Sequence, residues 1–192
     1  MGDSPETLGH VEALLAAGIR LVQYRPKANV DRQLLRQMRS RTAAAGAVLI
    51  VNDDLEAALE ADGLHVGPED VATLEAESLR ARLGERFLGV SCGTPAEVPW
   101  ARKLGADYLG TGPFAATASK VDAGAPIGAR GLAAVVAVAG DLPVAAIGGI
   151  GLAELSAVVA CGARMAAVIS ALRDAPGERA GELIECWERL AT

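Results

Sequence analysis

Seven clusters of polar, charged and glycine residues in this 192-residue chain could do chemistry, and each closes a short apolar run. The first is Gln23-Tyr24-Arg25-Pro26-Lys27. Gln23, Arg25 and Lys27 alternate, so on an extended segment they point the same way, and Pro26 keeps Arg25 extended. Three donors on one face, two of them cationic, suit an anion or a polar heterocycle; a solvated strand end would look the same. The second cluster is Asn52-Asp53-Asp54, which reads equally as a helix N-cap. The third, Gly67-Pro68-Glu69-Asp70, ends the next run. Asp53 and Asp70 therefore close consecutive runs, and such a pair could hold Mg²⁺, which takes one or two carboxylates plus water and substrate phosphates.

Ser91 follows the fourth run as a hydrogen-bonding group, while Thr94 before Pro95 reads as a helix cap and Cys92 has no partner nearby in sequence. The fifth cluster is the longest: Thr117, Ser119 and Lys120 lie in a Gly/Pro/Ala-rich stretch over 112–126, where two hydroxyls and an ammonium suit phosphate. The sixth and seventh are Gly148-Gly149-Ile150-Gly151 and Ile169-Ser170. Glycine there lets backbone N–H groups approach an anion at a helix start. His65, inside the third run, reads as a packed core residue.

Those clusters need elements to position them. The apolar runs at 19–24, 47–51, 63–66, 87–90, 107–111, 143–147 and 166–169 are mostly continuous, as strands of a parallel sheet covered on both faces should be. Segments with helical spacing lie before, between and after them, at 5–16, 30–45, 55–60, 72–83, 95–104, 130–138, 152–160 and 178–190. Gly18, Gly46, Gly105 and Gly162 sit where helix C′ residues belong. Alternating strands and helices predict a parallel α/β architecture, with a repeat of about 24 residues, close to the minimum for a TIM-type (β/α)8 barrel. The first strand of such a barrel is missing or cryptic, because the chain opens on a helix. The expectation is seven parallel strands with a gap between those at Leu21 and Val168, the shortfall lying ahead of Met1. An open doubly wound sheet is the alternative. Residues 1–192 read as a single domain, and in a barrel every cluster above falls at the carboxyl ends of strands, where active sites form.

Composition narrows the function classes. The chain is 51% hydrophobic but 3% aromatic, which fits layers of small aliphatic side chains rather than a base-stacking platform. Eighteen Lys and Arg against 24 Asp and Glu leave a net charge of −6, which speaks against nucleic acid or an anionic membrane as partner. Cys92, Cys161 and Cys186 are far apart and lack metal-ligand spacing, so reduced thiols in a cytoplasmic protein are expected. A homo-oligomer is compatible with this composition.

Read in order, QYRPK, VNDD, DGLHVGPED, GVSCGT, GADYLGTGPFAATASKVDAGAPIG, AIGGI and AVIS resemble the thiamine phosphate synthase family over about residues 11–172. The resemblance implies a β/α barrel that joins a pyrimidine methyl pyrophosphate to a thiazole phosphate with Mg²⁺, giving thiamine phosphate and pyrophosphate. It also implies roles. Gln23, Arg25 and Lys27 would contact the pyrimidine pyrophosphate, Asn52 and Lys120 the pyrophosphate, and Ser91 the substrate. Asp53 and Asp70 would hold the metal. Thr117, Ser119, Gly148, Gly149, Ile169 and Ser170 would cradle the thiazole phosphate. The chain departs from the family pattern at Pro26, Pro68, Cys92-Gly93 and Ser119. Two other readings use the same barrel: a thiazole tautomerase-like sister enzyme and a non-catalytic binder of phosphate esters. The joint presence of Asp53, Asp70, Thr117 and Lys120 favours the synthase over the tautomerase.

Overall fold

The computed structural model describes residues 4–26, 29–67, 76–119 and 124–191. Among them, helices and strands alternate as the sequence pattern predicts. Helix α1 (Ser4–Ala16) leads into β1 (Leu21–Tyr24), followed by α2 (Arg32–Ala44), β2 (Val48–Asn52), α3 (Leu55–Ala58), β3 (Gly63–Val66), α4 (Ala76–Leu83) and β4 (Phe87–Ser91). A 3-10 turn (Pro95–Glu97) opens α5 (Val98–Lys103), then come β5 (Tyr108–Thr111), α6 (Gly128–Ala139), β6 (Val144–Ile147), α7 (Leu152–Ala160) and β7 (Met165–Ala167). A second 3-10 turn (Ser170–Leu172) precedes α8 (Pro176–Ala191). Two limits differ from the sequence reading. Helix α3 stops at Ala58 because Glu60 and Ala61 bond to carbonyls three residues back, which tightens the last turn. The seventh run pairs only to Ala167, so Ile169 and Ser170 lie past the strand end.

The seven strands are parallel and in sequence order, β1 to β7. No strand among the described residues precedes β1, and none joins β1 to β7, so the expected gap is present. Register and alternation sort the strand residues onto two faces. On one face Val22 pairs with Leu49, Val51 with Leu64, Leu64 with Leu88, Val90 with Leu109 and Leu109 with Val144, all buried against the helices. The other face carries Gln23, Ile50, Gly63, His65, Gly89, Tyr108, Gly110 and Ala145. Helix α8 packs back on α1, with Gly177 beside Ala13 and Ile184 beside Gly18, which requires the sheet to curl around this second face. The result is a TIM-type barrel wall with one side open.

The amino ends of the strands are tied down by repeated ion pairs. Asp62, just before β3, accepts from the Leu49 amide at 2.9 Å and pairs with Arg39 at 2.6 Å. Asp107, just before β5, accepts from the Leu88 amide at 2.7 Å and pairs with Arg80 at 2.8 Å. Arg102 meets Asp141 ahead of β6 at 2.7 Å. Gly18, Gly46, Gly105 and Gly162 all take positive φ, as C′ residues do. Among the described residues no helix is long and apolar enough to cross a membrane.

Candidate active site at the carboxyl ends of the strands

The ends of β1 and β2 bring three of the expected residues together. Arg25 donates through Nη1 to Asn52 Oδ1 at 2.7 Å, and its Nη2 lies 3.8 Å from Asp53 Oδ2. Asn52 is buried, and with its oxygen engaged by Arg25 its NH₂ is the amide's donor. Asp53 follows with φ +63°, in a tight turn that the Asp54 amide closes on Asn52 O at 2.8 Å. Aspartate tolerates this left-handed geometry better than most residues, at a cost in backbone strain. The capping function belongs to the next residue: Asp54 accepts from the Ala57 amide at 2.8 Å and starts α3. Asp53 is thus spared from capping and its carboxylate is turned to solvent beside a guanidinium.

Inside the curl, β3, β4 and β5 build a neutral polar cluster. His65 Nδ1 lies 2.9 Å from the Tyr108 hydroxyl and its Nε2 lies 3.0 Å from Ser91 Oγ. Burial, and then the charge of Arg25, lower the His65 pKa to about 4, so the ring is neutral at pH 7. Burial likewise holds the Tyr108 phenol protonated, well above its ordinary range, with the Gln23 hydrogen bond opposing it. Space for the two rings comes from glycine. A Cβ on Gly89 would stand 2.2 Å from the Tyr108 ring and 2.4 Å from His65 Nδ1, and one on Gly110 would stand 2.8 Å from His65 Cε1. Tyr108 was not singled out in the sequence, and His65 read there as core packing. The signal that could have found them is glycine in the middle of two neighbouring strands (FLGV and DYLGT), which marks a large group approaching the backbone. Cys92 is buried, and burial followed by Glu97 pushes its thiol up to about 12, so it is no nucleophile.

The remaining expected residues lie around the rim. Thr117 Oγ1 accepts from the Ser119 amide at 3.2 Å, which folds the two hydroxyl residues into one turn. That turn begins beside β6: the amides of Phe114 and Ala115 bond to Ile147 O at 2.8 Å and Gly148 O at 2.9 Å. Gly148 and Gly149 take φ +95° and +65°, and a Cβ on either would collide with residues 113–116 at 2.9 Å or less. Glycine is needed here for close approach of this loop, whatever else binds. Ile169 and Ser170 are exposed past β7. Lys27, Asp70 and Lys120 lie outside the described residues, as does Pro68.

The donor set suits a hard cation on one side. Asp53 offers a solvent-exposed carboxylate with a strained, preset backbone, and magnesium needs only one or two such groups beside phosphate and water. Among the described residues no group of three or more His, Cys, Asp or Glu gathers as a metal centre.

Comparison with known proteins decides the family. The family model for thiamine monophosphate synthase matches residues 2–172. The chain belongs to that family. It is 47% identical to the thiamine-phosphate synthase of Moorella thermoacetica over 178 residues, covering 90% of this chain and 83% of that protein. It is 44% identical to the thiamine-phosphate synthase of Lactiplantibacillus plantarum, covering 86% and 79%. The solved thiamine phosphate pyrophosphorylase of Pyrococcus furiosus superposes with a TM-score of 0.86 at 30% identity, covering 96% of this chain and 91% of that one. As a member of the thiamine monophosphate synthase family, the chain is a transferase of thiamine biosynthesis with a TIM-type fold.

Proposed function

We propose that this chain condenses a 4-amino-5-hydroxymethyl-2-methylpyrimidine pyrophosphate with thiazole phosphate, releasing pyrophosphate and forming thiamine phosphate in the cytoplasm. The observation that carries this reading is the Arg25–Asn52–Asp53 cluster: a cation, an amide donor and a carboxylate at adjoining strand ends, beside a neutral polar lumen. Pyrophosphate leaves from a benzylic-type carbon, so negative charge develops on the departing oxygen and positive charge on the pyrimidine. Arg25 and the Asn52 NH₂ would bind the departing oxygens, joined by Lys27 and Lys120, and preorganised donors of this kind usually contribute most to catalysis. Asp53 and Asp70 would hold Mg²⁺, whose charge, when bound, further lowers the cost of the leaving anion.

Gln23 and Ser91 would hold the pyrimidine, with its reactive carbon toward the mouth. Thr117, Ser119 and the backbone at Gly148, Gly149, Ile169 and Ser170 would hold the thiazole phosphate so that the ring nitrogen attacks in line. No protein nucleophile or general base is needed, in keeping with a neutral His65 and a protonated Cys92. The test is pyrophosphate release from the purified chain given both substrates and Mg²⁺. Release that requires both substrates is expected, and Lys120→Ala should lower turnover more than about tenfold, the scale of losing one charge-stabilising donor. Binding of the phosphate esters without release would favour a non-catalytic role.

A further inference from the structure

We propose that His65 and Tyr108 are positioning residues that fix the direction of a hydrogen-bond chain, Tyr108 to His65 to Ser91, and so turn the Ser91 hydroxyl outward as a donor to the substrate heterocycle. A neutral imidazole has one donor and one acceptor nitrogen. His65 spends one nitrogen on Tyr108 at 2.9 Å and the other on Ser91 at 3.0 Å, so its tautomer sets the roles of both partners at once.

The Tyr108 hydroxyl is buried, and His65 Nδ1 is the acceptor within its reach. If Nδ1 carried the proton, Tyr108 Oη would accept it and its own buried O–H would have no acceptor here, a costly arrangement. The favoured sense has Tyr108 donating to Nδ1. His65 Nε2–H then donates to Ser91 Oγ, and the Ser91 proton points away from His65. Ser91 is half-buried at the end of β4, so that proton faces the lumen mouth, where a ring nitrogen would accept it. Gln23, exposed on β1 and on the same face of the sheet, offers its carbonyl oxygen as an acceptor. Donor and acceptor together match an aminopyrimidine edge, which carries ring nitrogens beside an amino group. Gly89 and Gly110 serve the same end, since a Cβ on either would displace the rings that carry the chain.

This inference rests on the proposed pyrimidine pyrophosphate site, and its test separates the two. The protein has two histidines, so ¹⁵N spectra of imidazole-labelled protein, with His10→Gln for assignment, read the His65 tautomer without any substrate. A proton on Nε2 at pH 7 is expected; a proton on Nδ1, or an imidazolium, overturns the chain. In kinetics, Tyr108→Phe should raise KM for the pyrimidine pyrophosphate roughly three- to tenfold with kcat little changed, the worth of one neutral hydrogen bond. In a Ser91→Ala background the same substitution should add less than about twofold, because its effect travels through Ser91. Independent, additive effects overturn the positioning role. Failure of the wild-type chain to release pyrophosphate would refute the functional reading, while the tautomer still decides the chain.

Discussion

The two ends of the strands spend charge in opposite ways. At the amino ends, Arg39, Arg80 and Arg102 each meet an aspartate at 2.6 to 2.8 Å, and two of those aspartates also accept a strand amide. At the carboxyl ends, Arg25 stands 3.8 Å from Asp53, with both side chains more than two-fifths exposed. One end uses charge to hold strand starts in register; the other keeps charge in reach of an incoming anion. Backbone strain follows the same division, with Asp53 in the left-handed region on the exposed side.

The sharpest way to break this contrast is to remove one arginine from each end. Arg25→Ala should lower kcat/KM by about a hundredfold or more, as loss of a preorganised donor to developing charge does. Its melting temperature should fall by only about 2–4 °C, because the exposed pair with Asp53 contributes little and the main loss is one donor to the buried Asn52 oxygen. Arg80→Ala should do the reverse. Arg80 donates to the carbonyls of Gly84, Arg86 and Gly105 as well as to Asp107. Discounted for partial exposure, its loss should cost about 2 kcal/mol, a fall of roughly 4–8 °C, with kcat/KM of the folded protein unchanged. Equal effects of the two substitutions on turnover would erase the distinction.

A pH titration tests the neutral lumen between the two ends. His65 has a folded pKa lowered to about 4, so the unfolded chain binds its proton first as pH falls. Stability from this group is fully present above about pH 6.5 and is lost as pH falls from there toward 4. Between pH 7.5 and 5.5 the loss should be on the order of 1 kcal/mol, read as a shift in urea midpoint. Tyr108 and Ser91 meet the two ring nitrogens, and neither changes charge in that window to mask it. A His65→Gln variant should show a flatter profile; an unchanged slope would mean the ring is solvated.

What the sequence made legible, and what it did not, divides along the same lines. Strands buried on both faces read as apolar runs, so all seven were placed to within a residue or two. The ends of those runs located Arg25, Asn52 and Asp53, because parallel topology forces consecutive strand ends together. The Asn52-Asp53-Asp54 ambiguity could not be resolved from composition: Asp54 caps and Asp53 does not, and only the positive φ at Asp53 separates them. The His65–Tyr108 pair was illegible for another reason. Forty-three residues separate the partners, and only the register of β3 with β4 and of β4 with β5 sets both beside Gly89.

The smallest predicted effect carries the comparison into the core. Thr111 closes β5 at the carboxyl end, fully buried, and its hydroxyl has no hydrogen-bond partner among the described residues. Thr42 lies on α2 toward the opposite end, equally buried, but donates to Arg39 O at 3.1 Å. Valine has nearly the shape of threonine without the hydroxyl, so the same substitution should act with opposite signs. Thr111→Val removes an unpaid desolvation cost and should stabilise by roughly 0.5–1 kcal/mol, about 2–3 °C. Thr42→Val removes a satisfied hydrogen bond and should destabilise by about 1 kcal/mol. Thermal unfolding of the two variants decides it. If Thr111→Val also destabilises, that hydroxyl has a partner, and the carboxyl end is as fully satisfied as the amino end.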